Sequence, residues 1–448
     1  MRIFFGLAEV SGFYSNLSKG FEKIGIESEL ITLLPHRFGY GGCNSSIWVR
    51  YAQWSVQCRL KNSSKHLSIR WFWATQVGIS RALLLIWCIL RFDVFVFCSA
   101  SSFFKFRELP LLKLLGKKII YNFHGTDSRC AFMDGFAEDI FMPDYMKEGT
   151  GYIGPFRQFD SAAVVESKIV AYYRITRLRK SKIEKVERYA DVIINSPSHG
   201  QHHSRPFVQR LHIGRPYMHD FKITNKDPGA SQRDHVVILH SPSYPEGKGS
   251  PIIHSAVSSV QQKGHKIEYI EITGRPNREV LELIQDCDFV IDQVYSDLAM
   301  AGFATEAAFF GKPAVVGGYY AVQQISDISA EWIPPTLFCL PDEIEAAIEK
   351  MVVDAQFRKE LGIKAKRFVE ERWIATKCAE RMLALIKDDY PREWLYAPSD
   401  CKYILGMGLS KENLHLVMSG MHERFGMDGF LLSDKPELEK LIDDFIKT

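Results

Sequence analysis

The chain has 448 residues, of which 46% are hydrophobic, 12% aromatic and 24% charged. This length suffices for two or three ordinary domains, and the composition excludes a disordered, collagen-like or fibrous protein. Lysine and arginine number 56 against 53 acidic residues, a net charge of +3. That balance argues against a dedicated nucleic-acid-binding protein, so we expect no nucleic-acid partner.

Cysteine usage and the N-terminus predict a cytoplasmic protein. The nine cysteines are scattered and show neither a zinc-type pair nor a disulfide framework. The opening MRIFFGLAEV has a single positive charge before its apolar residues, which is typical of a first strand rather than a signal peptide. The longest apolar run, Ala82–Leu90, is shorter than the roughly 20 residues that cross a bilayer. We therefore expect no membrane-spanning segment.

Short β-rich runs alternate with helical patterns along the chain, which predicts an α/β protein with largely parallel sheets. In the first half the predicted elements are strands at Arg2–Leu7, Glu29–Leu33, Val94–Cys98, Lys118–Phe123 and Val192–Asn195, and a helix at Phe13–Ile24. In the second half they are strands at Val236–His240, Ile267–Ile272, Phe289–Asp292 and Ala314–Val316, and helices at Pro251–Gln262, Asn277–Asp286 and Thr305–Phe310.

A polar stretch near the midpoint, KITNKDPGASQRDH, divides these elements into two doubly wound units. We expect a Rossmann-like N-terminal domain over 1–221, a linker over 222–235, a second Rossmann-like domain over 236–388 and a helical C-terminal extension over 389–448. The carboxyl ends of the strands of two such domains face a common cleft, where ligands bind. The insert at Pro35–Arg70 is predicted to be irregular and is where we expect acceptor contacts.

Two motifs of the first half lie where strands end. Gly12 lies in a turn between the first strand and the first helix, which is either a phosphate-binding loop or a plain tight turn. The fourth strand leads into His124, Asp127 and Arg129. A histidine at this place can hydrogen-bond a sugar hydroxyl or stabilise developing charge, and its structural alternative is to cap a loop or helix.

Two motifs of the second half resemble anion-binding and hydroxyl-binding segments. Lys248 stands immediately before a helix, so that its charge adds to the helix dipole, as a diphosphate requires; the alternative is a solvated loop lysine. Glu306 begins another helix and can accept hydrogen bonds from two adjacent hydroxyls, such as those of a ribose. The expected donor-binding residues are Gly12, Ser243, Lys248, Gly249, Ser250, Gly302, Phe303, Thr305 and Glu306.

The FHGTD motif ending at Asp127, the ILHSPS...KG segment and the GFATEA...GKP segment resemble those of family 4 glycosyltransferases, which have the two-domain glycosyltransferase-B fold. The resemblance covers most of residues 1 to about 388. It implies a nucleotide-diphosphate sugar donor, Lys248 at the diphosphate, Glu306 at the ribose and His124 near the reacting centre as catalytic residues, with Asp127 and Arg129 on the acceptor side. One departure is Leu298, which stands where many members have a sugar-facing acid.

From this resemblance we expect a retaining, metal-independent enzyme that transfers a sugar to a glycan, a lipid-linked saccharide or a protein. We expect no metal site and no cofactor beyond the sugar donor. Asp286 and Asp288 form a DxD pattern, but they precede a strand and so lie away from the cleft. A nucleotide-sugar epimerase of the same fold and a non-catalytic scaffold subunit remain open as alternatives.

The segment Arg174–Arg188 is rich in basic residues and places Ile175, Leu178, Ile183 and Val186 on one side. A basic amphipathic helix of this kind lies on an anionic membrane or covers the sheet of its own domain. The sequence thus leaves peripheral contact with the inner face of the membrane as a hypothesis.

Overall fold

The structure is a computed structural model that describes residues 1–34, 46–98, 101–135, 162–217 and 233–448, with side chains of the fourth range described from 168 onward. Its strands are β1 (Arg2–Leu7), β2 (Glu27–Thr32), β3 (Val94–Cys98), β4 (Lys118–Asn122), β5 (Val192–Asn195), β6 (Phe207–Gln209), β7 (Val236–His240), β8 (Ile267–Glu271), β9 (Phe289–Ile291), β10 (Ala314–Gly317), β11 (Leu337–Cys339) and β12 (Leu395–Tyr396).

The α-helices cover both faces of the sheets formed by these strands. They are α1 (Phe13–Lys23), α2 (Ile47–Lys61), α3 (Leu67–Arg91), α4 (Leu109–Leu114), α5 (Ala162–Tyr189), α6 (Arg210–Ile213), α7 (Pro245–Lys248), α8 (Ser250–Gln262), α9 (Asn277–Asp286), α10 (Gly302–Phe309), α11 (Tyr320–Asp327), α12 (Ile344–Val353), α13 (Ala355–Arg372), α14 (Ala375–Ile386), α15 (Lys411–Phe425) and α16 (Pro436–Lys447).

Two sheets organise the described residues, and the predicted α/β class is confirmed. The first has the strand order β12-β6-β5-β4-β3-β1-β2 and the second β11-β10-β9-β7-β8. All pairs are parallel except β12 with β6. The strand order reverses between β1 and β3 in the first sheet and between β7 and β9 in the second. At such a switch point the loops diverge and leave a crevice at the carboxyl edge of the sheet.

The central strands are buried because helices cover them on both sides, as the continuous apolar sequence of β3, VFVFC, requires. Phe4 of β1 packs against Phe95 of β3 with ring centroids 5.2 Å apart. On the other side of the first sheet, Tyr14 and Phe21 of α1 contact Phe5. This packing fixes the strand ends that carry the candidate site.

The predicted domain boundaries need correction near the C-terminus. Helix α14, which we expected in the second domain, packs on α1 so closely that a Cβ on Gly20 would lie 2.3 Å from the Ala375 carbonyl oxygen. Strand β12, which we expected in a separate extension, forms the edge of the first sheet by pairing with β6. The chain therefore returns to the first unit before residue 388. Most of the predicted linker, up to residue 232, lies outside the described residues.

The insert predicted to be irregular is largely helical. Residues 35–45 lie outside the described part, but α2 and α3 follow and form an antiparallel hairpin. The Ser55 and Ser80 hydroxyls join the two helices at 2.7 Å. By length and composition α3 is apolar enough to cross a membrane, and among the described residues it is the one helix of this kind. The sequence analysis considered only uninterrupted apolar runs and therefore did not identify α3.

The hypothesis of an apolar membrane-contacting face within Arg174–Arg188 is wrong. Ile175, Ile183 and Val186 are fully buried inside the protein, and among the four apolar residues only Leu178 is exposed. The protein core already occupies this face of α5, so it is not available to a bilayer.

Candidate active site

The first part of the candidate site lies at the carboxyl edge of the first sheet. His124 follows β4, and its Nε2 lies 2.7 Å from the hydroxyl of Tyr14 on α1. Burial and the neighbouring Arg210 guanidinium lower the pKa of His124 to about 3. Burial raises the pKa of Tyr14 well above its ordinary value. The pair therefore offers a neutral imidazole and a protonated phenol at physiological pH.

Asp127 shapes the turn that holds His124. Its Oδ1 accepts the backbone N–H groups of His124 at 2.8 Å and Gly125 at 3.1 Å. Burial alone would raise the pKa of Asp127, but the charge of Lys182 and the backbone hydrogen bond from His124 outweigh it and lower that pKa. Asp127 is 5% exposed. Its described contacts position the loop, which is a structural role in addition to the acceptor role that we predicted.

The Gly12 loop does not leave helix N–H groups open to a phosphate. The Glu9 carboxylate accepts the N–H groups of Val10 at 2.6 Å, Tyr14 at 3.1 Å and Ser15 at 2.7 Å. The chain's own anion thus occupies the start of α1, where we considered a phosphate loop. Gly12 has φ of 77°, a left-handed conformation that glycine adopts readily. The alternative, a tight turn, is the one that the structure contains.

Arg129 is not on an open acceptor surface, contrary to our prediction. Its guanidinium is 2% exposed and binds Asp297 of the second unit through Nη2 at 2.5 Å and Nε at 2.7 Å. Nη1 lies 3.2 Å from Asp134, which also binds Arg179 at 2.8 Å. His199 contacts the same oxygen of Asp297 at 2.6 Å. Arg129 therefore joins the two units inside the protein and is out of reach of an acceptor.

The second part of the site lies at the switch point between β7 and β9. The Lys248 ammonium lies 3.5 Å from Asp292 and donates to the side-chain oxygen of Gln293, both of which directly follow β9. The backbone of Val294 donates to the Lys248 carbonyl at 3.0 Å. A Cβ on Gly249 would lie 2.7 Å from the Val294 side chain, so glycine is required there. These contacts hold Lys248 at the crevice of the second sheet.

A histidine that the sequence analysis left aside fixes the two strands of this switch point. His240 ends β7, and its Nδ1 donates to the carbonyl of Ile291 in β9 at 2.7 Å. Its Nε2 therefore accepts from the Ser250 hydroxyl, which lies 2.8 Å away at the start of α8. Burial lowers the pKa of His240, which keeps the ring neutral. Ser250 is thus buried and committed to His240, while the predicted donor residue Ser243 is exposed.

Glu306 lies in the second turn of α10, one turn later than we expected. It is partly buried, and its Oε1 accepts from Asn277 at 2.9 Å. Thr305 is buried, and its hydroxyl donates to the Ala301 carbonyl at 2.7 Å, so its described contact is within the helix. Phe303 is partly buried and packs against the core. The roles of these residues toward a donor remain predictions.

Two arginines near these residues were missed by the sequence analysis. Arg215 donates to the carbonyl of Ser11 at 3.5 Å, and a Cβ on Gly302 would lie 2.6 Å from its guanidinium. Arg210 donates to the Phe123 carbonyl at 2.8 Å. Arg215 therefore reaches from the first unit to the start of α10. Neither arginine belongs to a recognisable motif, and only the fold brings them to the cleft.

The C-terminal extension also enters the region between the sheets. The backbone carbonyl of Met407 accepts from the Gly135 N–H at 2.8 Å, and the Met407 N–H donates to the Met133 carbonyl at 3.0 Å. The Gly408 N–H donates to the carbonyl of Tyr295 in the second unit at 3.0 Å. The sulfur of Met407 lies 3.4 Å from Arg129. This strap, 403–410, is hydrogen-bonded to both units.

The described residues contain no group of three histidine, cysteine or acidic side chains that could hold a metal ion. Asp288 of the DxD pattern accepts the backbone N–H of Val237 at 2.7 Å, at the amino end of β7. It therefore stabilises the strand start at the edge opposite the switch point.

Comparison with known proteins gives weak similarities only. No family model and no curated protein matches the chain. Among solved structures, HepE from Anabaena in complex with UDP-glucose is 11% identical, covering 86% of this chain and 99% of its own, with a TM-score of 0.46. A glycosyltransferase from Rickettsia africae is 13% identical, covering 87% and 98%, with a TM-score of 0.44. WaaG, a glycosyltransferase of lipopolysaccharide biosynthesis, is 11% identical, covering 86% and 99%, with a TM-score of 0.38. These values do not assign a family, and the fold rests on the two sheets described above.

Proposed function

We propose that the protein is a glycosyltransferase that binds a nucleotide-diphosphate sugar at the carboxyl edges of its two sheets and transfers the sugar to an acceptor. The observation that carries this proposal is the position of Lys248. Its ammonium lies at the β7–β9 switch point, and Gly249, the next residue, is the N-cap of α8. A fixed cation beside a helix N-terminus is suited to the charge that develops on a leaving diphosphate.

Glu306 and His124 have complementary parts in the proposal. The Glu306 carboxylate accepts hydrogen bonds from the two ribose hydroxyls, with Asn277 holding Oε1 in place. His124, neutral because its pKa is lowered to about 3, hydrogen-bonds the donor sugar near the reacting carbon. Arg215 adds positive charge between the units. With these cations the leaving diphosphate is stabilised without a metal ion, and the resemblance of the motifs favours retention of configuration.

The acceptor in this proposal is a glycan, a lipid-linked saccharide or a protein, and the enzyme acts in the cytoplasm. Asp297 does not supply the sugar-facing acid that Leu298 lacks, because the Asp297 carboxylate is committed to Arg129 and His199. We therefore propose that Lys248, Glu306 and His124 carry the reaction without that acid.

A thermal-shift screen against UDP, GDP, ADP, CMP and their sugar conjugates tests donor binding. A ligand that binds only the folded protein raises the melting temperature. We expect a selective shift with one diphosphate that Lys248→Ala and Glu306→Gln abolish. Lys266→Ala is the matched control, because Lys266 precedes β8 at the opposite edge of the same sheet and is 67% exposed. No shift with any nucleotide would contradict the proposal and favour a scaffold subunit.

Turnover separates the enzymatic alternatives. With donor and acceptor, Lys248→Ala should lower the transfer rate by about a hundredfold or more, as removal of a single group that stabilises transition-state charge does. Lys266→Ala should leave the transfer rate unchanged. Donor incubated without acceptor should stay intact or hydrolyse slowly; formation of a new nucleotide sugar would identify an epimerase instead.

A further inference from the structure

The α2–α3 hairpin, residues 47–91, has an unusual charge distribution. The chain as a whole balances its charges, yet no aspartate or glutamate occurs between Glu29 and Asp93. The lysines and arginines of the hairpin are Arg50, Arg59, Lys61, Lys65, Arg70, Arg81 and Arg91. Arg91 pairs with Glu27 and Glu29 beside the sheet. None of the acidic side chains that the structure describes pairs with the exposed cations around the turn, Arg59, Lys61, Lys65 and Arg70.

The solvent-facing side of α3 carries a stripe of exposed apolar side chains. Phe72, Ile79, Ile86 and Leu90 are exposed and follow each other at intervals of seven, seven and four residues. This spacing aligns them on one stripe of the helix. The opposite side, which includes Leu84 and Cys88, packs into the core of the first unit. A helix that is apolar on both sides meets a second apolar partner beyond its own protein.

Aromatic side chains extend this stripe to the turn of the hairpin. Trp54 of α2 packs edge to face on Trp73 of α3 at 5.4 Å, and Phe72 packs on Trp73 at 5.2 Å. Trp71 is 67% exposed. Every exposed tryptophan or phenylalanine of the described residues lies in this hairpin. Amphipathic aromatic rings beside lysine and arginine are the residues that occupy the headgroup region of a bilayer.

The hairpin turn stands clear of the globular body. With its 25 residues α3 is about 37 Å long, whereas the five residues of β3 that follow it span about 17 Å. Because α3 runs into β3, its surplus length projects beyond the carboxyl edge of the sheet. The exposure agrees with this, since residues 64–72 are all exposed. The turn and the exposed stripe of α3 can therefore contact a flat surface beside the first unit.

We propose that the α2–α3 hairpin is a membrane-docking surface that binds the anionic headgroups of a lipid bilayer with Lys61 and Lys65 and inserts Trp71 and Phe72 to interfacial depth. Helix α3 lies on the bilayer and does not cross it, because its Leu84 and Cys88 side remains packed on the sheet. This inference is independent of the proposed function.

Vesicle flotation of the full chain tests the docking surface. We expect binding to vesicles of phosphatidylcholine mixed with phosphatidylglycerol, weaker binding to phosphatidylcholine alone, and weakening by salt. Lys61→Gln/Lys65→Gln should lower the partition coefficient about thirtyfold, since each cation near an anionic surface contributes about 1 kcal/mol. Trp71→Ser/Phe72→Ser should lower it at least about tenfold. All four side chains are exposed, so the variants should keep the wild-type melting temperature.

Lys185→Gln/Arg188→Gln on α5 is the matched control, because it removes two exposed cations outside the hairpin. Quenching of tryptophan fluorescence by brominated acyl chains should occur in the wild-type chain and fall in the Trp71→Ser/Phe72→Ser variant. Absent vesicle binding, or binding that the control reduces and the hairpin variants do not, would overturn the proposal. Extraction only by detergent would instead indicate a spanning helix. Self-association that the hairpin variants abolish, without vesicle binding, would assign the surface to a second copy of the chain.

Discussion

Neutralising Asp297 tests the buried ionic cluster that joins the two units. The cluster holds two guanidinium groups and two carboxylates, and its residues Arg129, Arg179, Asp134 and Asp297 are each at most 3% exposed. Its charge is therefore balanced. His199 adds no charge, because burial lowers its pKa. Asp297→Asn keeps the shape of the side chain but leaves one positive charge without compensation in the interior.

The expected cost is large because both partners are buried. The Asp297 carboxylate accepts hydrogen bonds from Arg129 Nη2 at 2.5 Å and Nε at 2.7 Å. It also accepts one from His199 Nε2 at 2.6 Å. Removing one member of such a pair costs about 3–5 kcal/mol of unfolding free energy, whereas an exposed pair contributes about 0–1 kcal/mol. Asp388→Asn is the matched control, since the Asp388 carboxylate pairs with Lys118 at the surface and is 66% exposed.

Urea unfolding followed by tryptophan fluorescence measures these differences. Asp297→Asn should lower the unfolding midpoint strongly, and Asp388→Asn should leave it almost unchanged. Arg129→Met/Asp297→Leu removes both charges and should recover most of the loss. The reasoning would be refuted if Asp297→Asn cost less than about 1 kcal/mol, or if the double variant were no more stable than the single one.

Three further outcomes follow from other contacts. Glu9→Ala should lower the unfolding free energy by about 1–2 kcal/mol, because two N–H groups in the first turn of α1 and that of Val10 before it lose their acceptor, while Glu9→Gln should cost less. A thermal melt that is unchanged in both variants would contradict the capping role. Because the pKa of His124 is about 3 in the folded chain and about 6.5 when unfolded, its contribution is complete above pH 6.5 and is lost as the pH falls toward 3. His124→Asn should reduce the loss of stability between pH 7 and 4.5 by about 2–3 kcal/mol in urea titrations, and an equal loss in both proteins would argue against a buried neutral ring. Deleting residues 389–448 should abolish soluble expression, because Leu414 and Met418 are fully buried; a monodisperse truncated protein in size-exclusion chromatography would show that the extension is dispensable.

The strands were the most predictable part of the fold. β1, β3, β5 and β7 have the predicted bounds, because each is a short, uninterrupted apolar run that ends at polar residues. Helix α3 was missed because its apolar sequence is not an uninterrupted run. Thr75, Gln76, Ser80 and Arg81 interrupt its apolar sequence, and a helix that is apolar on opposite sides shows no single amphipathic face. Which of its two apolar sides is exposed to solvent is decided only by the packing of the other side on the sheet.

The site was predictable where its residues follow strands. His124 and Lys248 lie at the carboxyl edges, as the strand pattern indicated. The burial of Arg129 was not predictable, because its partner Asp297 is 168 residues away in sequence and reaches it only through the packing of the two units. The role of Glu9 had a local signal: an acidic residue just before a helix is favourable at its N-terminus. That signal competed with the expectation of a phosphate loop.

The pairing of β12 with β6 has a consequence for how the chain is made. Strand β6 belongs to the first half of the sequence, but its outer edge pairs with Leu395 and Tyr396, which a ribosome synthesises only after every strand of the second sheet. Until then the nascent first sheet presents an unpaired edge strand, and exposed edges are sites of wrong pairing between chains. Helix α14 likewise reaches α1 only after the whole second sheet has been translated. The first unit can therefore begin to fold before the second unit, but it cannot be completed before the second unit has been translated.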